Sequence, residues 1–437
     1  MSPDDPTVVI ANTVALNGGD AAILVAEADL LQKMTNSHAR LVVFDANPAA
    51  ARRHYPEYDF RLRLQSNGAQ PLVSVPGLRR VSRAANRARY ALGVRLWLGR
   101  MSSVAAKLVL TPREIRDLGV YAGADLIAYT GGTYLVEQYN LEPVLFDMEL
   151  AARLGRPYVL LPQSIGEITD PVIARRLADC LTGAEAIVVR DHASRSHVQR
   201  LIGDRKELHV LPDVVFAMDR PSEVSGDQAA RPSPSVGNPL AVAVSVRDWH
   251  HFQTSDSASG MGRYLRAVTE LVVHLVLRHG ARVTLVSTCQ GIPEYWADDS
   301  LTATTVHDML PAEVRRFVQV DTSFHSPRNT VKLLSRYDVV VATRMHMAIM
   351  ALVAGTPVVT IAYAFKTREM FRSLGWEEWM CDIETVGGSE LIRLVDGLLK
   401  DLPGARRRTT AAASSVREQA STLAGLLREK TSLGVLW

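Results

Sequence analysis

The chain alternates short apolar runs with segments of helical pattern along most of its 437 residues. A continuous apolar run of about four to eight residues is typical of a strand buried on both faces, as in parallel sheets covered by helices. Repeated strand–helix–strand order therefore predicts an α/β fold with parallel sheets. Because a chain of this length exceeds one ordinary core, two domains are expected.

The predicted strands fall into two series. Those of the first series are Thr7–Asn12, Arg40–Ala46, Ala124–Thr130, Tyr158–Pro162, Ala186–Val189 and His209–Leu211. Those of the second series are Ala241–Val246, Arg282–Thr288, Phe317–Asp321, Asp338–Ala342 and Val358–Tyr363. Residues 220–239 separate the two series; they are rich in Pro, Ser and Gly and are typical of a linker.

This organisation predicts two doubly wound, Rossmann-like domains that face each other across a cleft. The N-terminal domain is expected at residues 1–219 and the C-terminal domain at residues 240–400, joined by the linker 220–239. Residues 401–437 are expected to form a C-terminal helical region.

Composition and charge narrow the class of protein. The net charge is only +3, so nothing in it indicates nucleic-acid binding. Three cysteines, Cys180, Cys289 and Cys381, are widely separated and form neither a metal-binding spacing nor a disulfide framework. The polar, acidic N-terminus is unlike a signal peptide. We therefore expect a cytoplasmic protein without a metal ion or cofactor.

A basic segment interrupts the alternation within an insertion at about residues 76–107. Between Leu78 and Arg100 it contains seven arginines and no acidic residue, and its apolar residues fall near helical spacing. A basic amphipathic helix can lie on an anionic membrane surface, which would place the protein at the inner membrane face. The alternative is a solvated helix that packs on its own domain.

The segment after the strand Asp338–Ala342 indicates chemistry. Arg344 and His346 follow this strand, and Lys366 follows the next one, Val358–Tyr363. Ligands of open parallel sheets bind beyond the carboxyl ends of the strands. Cations there would hold an anion, and a histidine can carry a proton near neutral pH. The cluster favours a catalytic role over a structural one.

Polar loops are also predicted at strand ends of the first domain. Paired glycines allow close approach of another group to the backbone, and a helix N-terminus offers free N–H groups. Each loop could be only a turn, with Asp20 as a helix N-cap in the first of them. Three such loops in one domain favour a polar ligand. Their candidate binding residues are Asn17, Gly18, Gly19, Asp20, Gly131, Gly132, Gln163 and Ser164.

Two further arginines follow predicted strands. Arg190 comes after Ala186–Val189, and Arg247 comes after Ala241–Val246. Each could bind a phosphate or carboxylate through its planar guanidinium. The alternative is a local structural role, for Arg190 through its neighbour Asp191.

In combination, these segments resemble the polysaccharide pyruvyl transferase family. No single motif is specific, but the ordered set spans about 350 residues. The matching pieces are Asn17-Gly18-Gly19-Asp20, Gly131-Gly132, Gln163-Ser164-Ile165-Gly166, Arg190-Asp191, Arg344-x-His346, Gly355-x-Pro357, Tyr363 and Lys366.

The resemblance implies a fold similar to GT-B glycosyltransferases and phosphoenolpyruvate as donor. The enolpyruvyl unit would be transferred to two hydroxyls of one sugar, in a cell-surface glycan or a lipid-linked precursor, to form a cyclic pyruvate ketal. It also implies that His346 is catalytic and that Arg344 binds the donor. Arg190, Arg247 and Lys366 would hold its phosphate and carboxylate.

Two other functions remain open at this point. A nucleotide-sugar glycosyltransferase of GT-B fold would need an acidic residue for the donor ribose, for which Glu369 is the near candidate. A non-catalytic glycan- or anion-binding module would bind ligand without turnover.

Overall fold

The computed structural model describes residues 5–36, 38–70, 79–99, 102–220, 234–235, 237–431 and 433. The chain divides into two compact units. The first unit contains the residues up to Ala15, Glu27–Asp213 and the residues from Ser421. The second contains Leu16–Ala26 and Val214–Ala420. These bounds differ from the predicted domains, because residues 16–26 and the end of the chain each belong to the other unit. Most of the predicted linker lies outside the described residues.

The sheet of the first unit has eight strands, and all its pairings are parallel. The strands are β1 (Thr7–Thr13), β2 (Arg40–Asp45), β3 (Asp59–Leu62), β4 (Leu126–Tyr129), β5 (Gly132–Leu135), β6 (Tyr158–Ile165), β7 (Ala186–Val189) and β8 (Leu208–Val210). They are ordered β3-β2-β1-β4-β6-β7-β8, and β5 also pairs with β6. The order runs outward in both directions from β1, as in a doubly wound fold.

The sheet of the second unit repeats this plan with six strands, again in parallel pairings. The strands are β9 (Ala241–Ser245), β10 (Arg282–Leu285), β11 (Val318–Val320), β12 (Val339–Ala342), β13 (Val358–Ala362) and β14 (Met380–Asp382). Their order is β11-β10-β9-β12-β13-β14. The central strands are Val-rich and, apart from Ala241 at the start of β9, buried, because helices cover both faces of such a sheet.

Helices connect the strands of each sheet. In and next to the first unit they are α1 (Gly18–Met34), α2 (Pro48–His54), α3 (Leu64–Ala69), α4 (Arg79–Leu98), α5 (Ser102–Val109), α6 (Pro112–Ala122), α7 (Glu142–Arg153), α8 (Pro171–Gly183) and α9 (His192–Ile202). Those that follow are α10 (Ser257–His279), α11 (Asp299–Asp308), α12 (Ala312–Arg315), α13 (Pro327–Leu334), α14 (Met345–Ala354), α15 (Phe365–Ser373), α16 (Gly388–Lys400) and α17 (Leu402–Lys430).

Local sequence accounts for many of these helix ends. Thr111 and Glu114 form a reciprocal capping box at the start of α6, with Pro112 as the first helical residue. At the end of α14, Gly355 adopts φ +78°, a left-handed conformation that favours glycine. The apolar stretch from Ala348 is therefore a short helix followed by β13. No helix among the described residues is long and apolar enough to cross a membrane.

Three strands were missed by the sequence patterns, namely β3, β5 and β14. None of the three is a continuous apolar run: their sequences are DFRL, GTYL and MCD. The stretch between β2 and β4, predicted to be irregular outside its basic insertion, also contains α2, α3 and α6. In that stretch the polar positions are numerous, and α6 is strongly amphipathic rather than apolar.

Two of the predicted loops were wrong in detail. Gln163 and Ser164 lie within β6, which runs to Ile165 with a register irregularity before Gln163. Pro162 lacks an N–H, which accounts for an irregular ladder at that point. Gly132 is the first residue of β5 rather than part of a long turn. The predicted strand end was placed at the proline, but the backbone pairing continues past it.

Candidate active site

The segment between β12 and α14 carries the two residues predicted to be catalytic. Arg344 is the N-cap of α14 and has an extended backbone, and His346 follows in the first helical turn. Thr343 donates or accepts a hydrogen bond of 2.8 Å between its Oγ1 and the Tyr264 hydroxyl. That hydroxyl also accepts the backbone N–H of Arg247 at 3.3 Å. Tyr264, on α10, thereby ties together the carboxyl ends of β9 and β12.

Arg344 is held in place by a carboxylate that the sequence patterns did not single out. Its Nε and Nη2 donate to the two oxygens of Asp299, at 2.8 and 2.7 Å. The Asp299 carboxylate, on α11, is almost fully buried and also accepts from the Ser287 hydroxyl at 2.7 Å. A buried bidentate pair fixes the orientation of the guanidinium. It also offsets much of its charge, so Arg344 is less available to an incoming anion than predicted.

The loop with paired glycines lies against His346 inside the second unit. A Cβ atom on Gly19 would stand 2.4 Å from the His346 Nδ1. A Cβ atom on Gly18 would stand 1.9 Å from the backbone oxygen of Thr288. The glycines were predicted to admit a ligand, but here they allow close packing of the protein on itself. These contacts lie within the second unit, to which residues 16–26 belong.

Asn17, rather than Asp20, caps helix α1. Its Oδ1 accepts the backbone N–H groups of Gly19 and Asp20, at 3.0 and 3.4 Å. Its Nδ2 donates to the Tyr295 hydroxyl at 3.0 Å. The alternative that named Asp20 as the cap was therefore wrong, because the capped amides are those two and three residues after Asn17. Both ends of the Asn17 amide are engaged, which holds the loop rigid beside His346.

A second cluster surrounds Tyr363, at the carboxyl end of β13. The Arg247 guanidinium lies over the Tyr363 ring, 4.1 Å from its centroid, and 4.8 Å from the centroid of Trp249. The two rings lie 4.8 Å apart. Burial acts to raise the pKa of Tyr363, but the charges of Lys366, Arg247 and Arg344 outweigh it and lower the pKa. The cluster is therefore a site of positive potential.

Several N–H donors of this cluster have no acceptor among the described residues. Within the described part of the chain, neither Lys366 nor the terminal nitrogens of Arg247 have a carboxylate or carbonyl partner; Arg247 Nε bonds only to the Asp248 carbonyl, at 3.3 Å. The buried indole N–H of Trp249 likewise has no acceptor among those residues. A small anion with several oxygens fits such a set of donors.

The residues predicted in the first unit form a different kind of site. Arg190 is buried and donates through Nε to Ser164 and through Nη1 to Asp213, each at 2.7 Å, and also to Thr133. Ser164 in turn donates to Asp191 at 2.8 Å. The local alternative named Asp191 as the partner of Arg190, but the ion pair is with Asp213.

The glycine loop of the first unit is also internally bonded. The Gly131 amide and the Thr130 hydroxyl donate to the two carboxylate oxygens of buried Glu27, at 2.6 and 2.7 Å. Gln163 donates to the Tyr134 hydroxyl at 2.6 Å and to the Thr130 carbonyl. Gly132 has φ +119°, which disfavours other residues. The predicted residues are brought together here, but most of their polar groups already have protein partners.

Comparisons with known proteins decide the family. The family model described as "Polysaccharide pyruvyl transferase" matches residues 17–364. The chain belongs to this family. The match covers the segments around Asn17, Gly131, Arg190 and Arg344, so the resemblance seen in the sequence is confirmed.

A curated relative of known name shows lower sequence similarity over part of the chain. The amylovoran biosynthesis protein AmsJ of Erwinia amylovora is 24% identical over 279 residues. The match covers 63% of this chain and 65% of the relative's length.

Solved structures of low sequence identity have a fold similar to that of this chain. The glycotransferase of kitacinnamycin has a TM-score of 0.52 at 14% identity, and the match covers 98% of this chain and all of that chain. Anabaena Alr3699/HepE, solved with UDP-glucose, has a TM-score of 0.52 at 12% identity, covering 97% and 98%. The UDP-GlcNAc 2-epimerase of Methanocaldococcus jannaschii has a TM-score of 0.54 at 8% identity, covering 97% and 99%. The predicted GT-B-like α/β fold with two Rossmann-like domains is thereby confirmed.

Proposed function

We propose that this protein transfers the enolpyruvyl unit of phosphoenolpyruvate to two hydroxyls of one sugar and so forms a cyclic pyruvate ketal. The acceptor is part of a cell-surface glycan or of its lipid-linked precursor, and the reaction takes place at the cytoplasmic side of the membrane. Membership of the family supports the reaction class. The observation that supports this donor is the set of N–H donors around Tyr363, on Arg247, Lys366 and the Trp249 indole, that have no acidic partner among the described residues.

The charge of the donor fits that set. Phosphoenolpyruvate carries a phosphate and a carboxylate on a three-carbon skeleton, so it needs several cations at close range. Arg247 and Lys366 would bind it without first breaking an internal ion pair. Arg344 has one terminal nitrogen, Nη1, outside its bidentate pair with Asp299. The free N–H groups at the start of α14 add further positive potential.

The chemistry then needs one proton donor and two nucleophiles. His346 would protonate the methylene carbon of phosphoenolpyruvate, which makes the neighbouring carbon electrophilic. The first sugar hydroxyl attacks that carbon and loses its proton. The bond between that carbon and the phosphate oxygen then breaks, and inorganic phosphate leaves. The second hydroxyl attacks the same carbon and loses its proton, closing the ketal. The cations stabilise the charge on the departing phosphate.

The glycosyltransferase alternative rests on fold alone. Its candidate ribose-binding acid, Glu369, is an exposed residue of α15 that pairs with Arg372 at 2.7 Å. That exposed pair gives no particular support to a nucleotide site.

The test combines binding with turnover. The protein should be protected against thermal unfolding by phosphoenolpyruvate, and should release phosphate when a panel of sugars is added. Mass spectrometry should find the acceptor carrying one pyruvate as a ketal. Protection by nucleotide diphosphates without protection by phosphoenolpyruvate would replace this proposal with the glycosyltransferase. Binding of phosphoenolpyruvate without turnover on any glycan of the organism would favour the non-catalytic module.

A further inference from the structure

Helices α4 and α5 present a basic and apolar surface that the reaction does not use. We call it the α4–α5 surface and define it by its outward residues: Arg79, Arg80, Arg83, Arg87, Arg95, Lys107, Val81, Leu92, Val104 and Leu108. All belong to the first unit. Residues 79–109 contain no acidic side chain that could neutralise this surface.

The orientation of α4 is set by its buried side. Asn86 donates to the backbone oxygens of Asn67 and Gln70, at 2.8 and 2.7 Å. Gly93 lies so close to Leu110 that a Cβ atom would stand 2.3 Å from that side chain. Tyr90 is almost fully buried as well. These contacts pack one face of α4 against the first unit. The opposite face is therefore exposed to solvent.

Among the described residues, the inward and outward arginines of α4 differ in their partners. Arg89, which faces inward, pairs with Glu114 at 2.6 Å. The outward arginines Arg80, Arg83 and Arg87 make no hydrogen bond or ion pair with any residue that the structure describes. Their charge is therefore directed at whatever lies outside the protein.

The apolar residues of this surface are exposed to an unusual degree. On α4, Val81 is 68% and Leu92 is 51% exposed, and Ala85 and Ala88 continue the same stripe between them. On α5, Val104 is 64% and Leu108 is 84% exposed, one helical turn apart. The apolar spacing seen in the sequence therefore marks the outer face of the helix rather than the face packed on the protein. Leu78, which belongs to the same spacing, lies outside the described residues.

We propose that the α4–α5 surface binds the surface of an anionic membrane. Arginines beside a stripe of exposed aliphatic side chains match an interface in which lipid phosphates lie beside acyl chains. A soluble polyanion would satisfy the arginines but would leave Val81, Leu92 and Leu108 in water. The purpose of the contact rests on the proposed function, because a lipid-linked acceptor is held at that membrane. The binding itself does not depend on the reaction.

The test uses the full chain and sedimentation with vesicles. Vesicles of equal parts phosphatidylglycerol and phosphatidylcholine should carry the protein down, and vesicles of phosphatidylcholine alone should not. Arg80→Gln/Arg83→Gln/Arg87→Gln should weaken binding on the order of 100-fold, from about fivefold for each cation near the surface. A matched control, Arg153→Gln/Arg175→Gln/Arg195→Gln, removes three exposed arginines elsewhere in the same unit and should change binding little.

A second variant distinguishes binding to a lipid surface from binding to a soluble polyanion. Val81→Ser/Leu92→Ser/Leu108→Ser keeps every charge and should weaken vesicle binding at least tenfold while leaving heparin binding unchanged. Unaltered vesicle binding by this variant, together with heparin binding lost in the arginine variant, would assign the surface to a polyanion. Failure of wild-type protein to bind either vesicle would overturn the proposal.

Measurements of phosphate release test the membrane surface and the proposed reaction separately. All three variants should keep full phosphate release with a soluble sugar acceptor, and should keep the wild-type unfolding midpoint. Loss of vesicle binding with intact turnover supports the surface. Intact vesicle binding without turnover would instead contradict the proposed reaction and leave the surface standing.

Discussion

The carboxyl edges of the two sheets carry the same types of residue in opposite electrostatic states. At the first edge, Arg190 is paired with Asp213 and the Glu27 carboxylate accepts two internal hydrogen bonds. At the second edge, Arg344 is paired with Asp299, but Arg247 stacks on aromatic rings and Lys366 has no carboxylate partner among the described residues. An internally paired edge is rigid and nearly neutral, whereas an unpaired one attracts anions. This difference supports the proposal that the anionic donor binds in the second unit.

Loss of the proton carrier should have the largest effect on this assignment. His346→Ala should lower the rate of phosphate release about 10²–10⁴-fold, the usual contribution of a positioned acid. His307→Ala, a partly exposed histidine of the same unit, is the control and should keep the wild-type rate. Undiminished release by His346→Ala would remove His346 from the mechanism and the chemistry from this edge.

Removing the Arg190–Asp213 ion pair of the first edge should lower the free energy of unfolding rather than the reaction rate. Arg190→Ala breaks the buried ion pair with Asp213, which costs about 3–5 kcal/mol of the free energy of unfolding. Urea unfolding measures it. Arg176→Ala removes a more exposed pair with Glu149 and should cost about 1 kcal/mol or less. Equal losses for the two variants would mean that Arg190 is no more structural than a surface arginine.

The first unit also buries the carboxyl group of Asp147, which forms no ion pair with any residue that the structure describes. Burial raises the pKa of Asp147 to about 7, against only a partial opposing effect from Arg63. The folded state therefore binds this proton more tightly than the unfolded chain, so stability falls as pH rises from about 4 to 7. Integrated over that window, the loss is about 4 kcal/mol as an upper bound.

Asp147→Asn should remove this dependence. The variant should gain stability relative to wild type at pH 8 and not at pH 4, as measured by urea unfolding at both values. Wild-type stability that is flat across this window would mean that the carboxyl is already ionised in the folded state.

The smallest expected effect is at the unpaired edge. Arg247→Ala should raise KM for phosphoenolpyruvate roughly 10- to 150-fold, corresponding to about 1.5–3 kcal/mol for hydrogen bonds to a charged group. Its stability should change little. Arg316→Ala is a matched control, because Arg316 also stacks on an aromatic ring, that of Phe317, at 4.8 Å. An unchanged KM with a large loss of stability would reverse the roles assigned to Arg247 and Arg190.

Much of the fold could be read from short-range pattern. Nearly all the central strands were predicted within a few residues, because strands buried on both faces are continuous apolar runs whatever their neighbours. The edge strands β3 and β14 were missed because they are partly exposed and contain charged residues, so neither is an apolar run. Strand β6 was cut short at Pro162, since the effect of a missing N–H on pairing depends on the neighbouring strands.

The sequence indicated where the candidate residues lie at the strand ends, but not which protein groups they contact. Arg344, His346 and Lys366 were found because strand ends share one edge of a sheet. Asp299, Tyr295 and Tyr264 were missed, since they lie in helices and loops whose approach to that edge has no local sequence signal. A carboxylate 45 residues away from Arg344 in sequence decides how much of its charge an anion can feel.

By itself, the sequence determined the strand–helix order, the family and the residue types at each strand end, because these depend on spacing along the chain. Only the tertiary structure decided which cations are neutralised, that Gly18 and Gly19 pack against Thr288 and His346, and that the apolar stripe of α4 faces outward. Those outcomes depend on distances between residues far apart in the chain, and neither composition nor periodicity contains them.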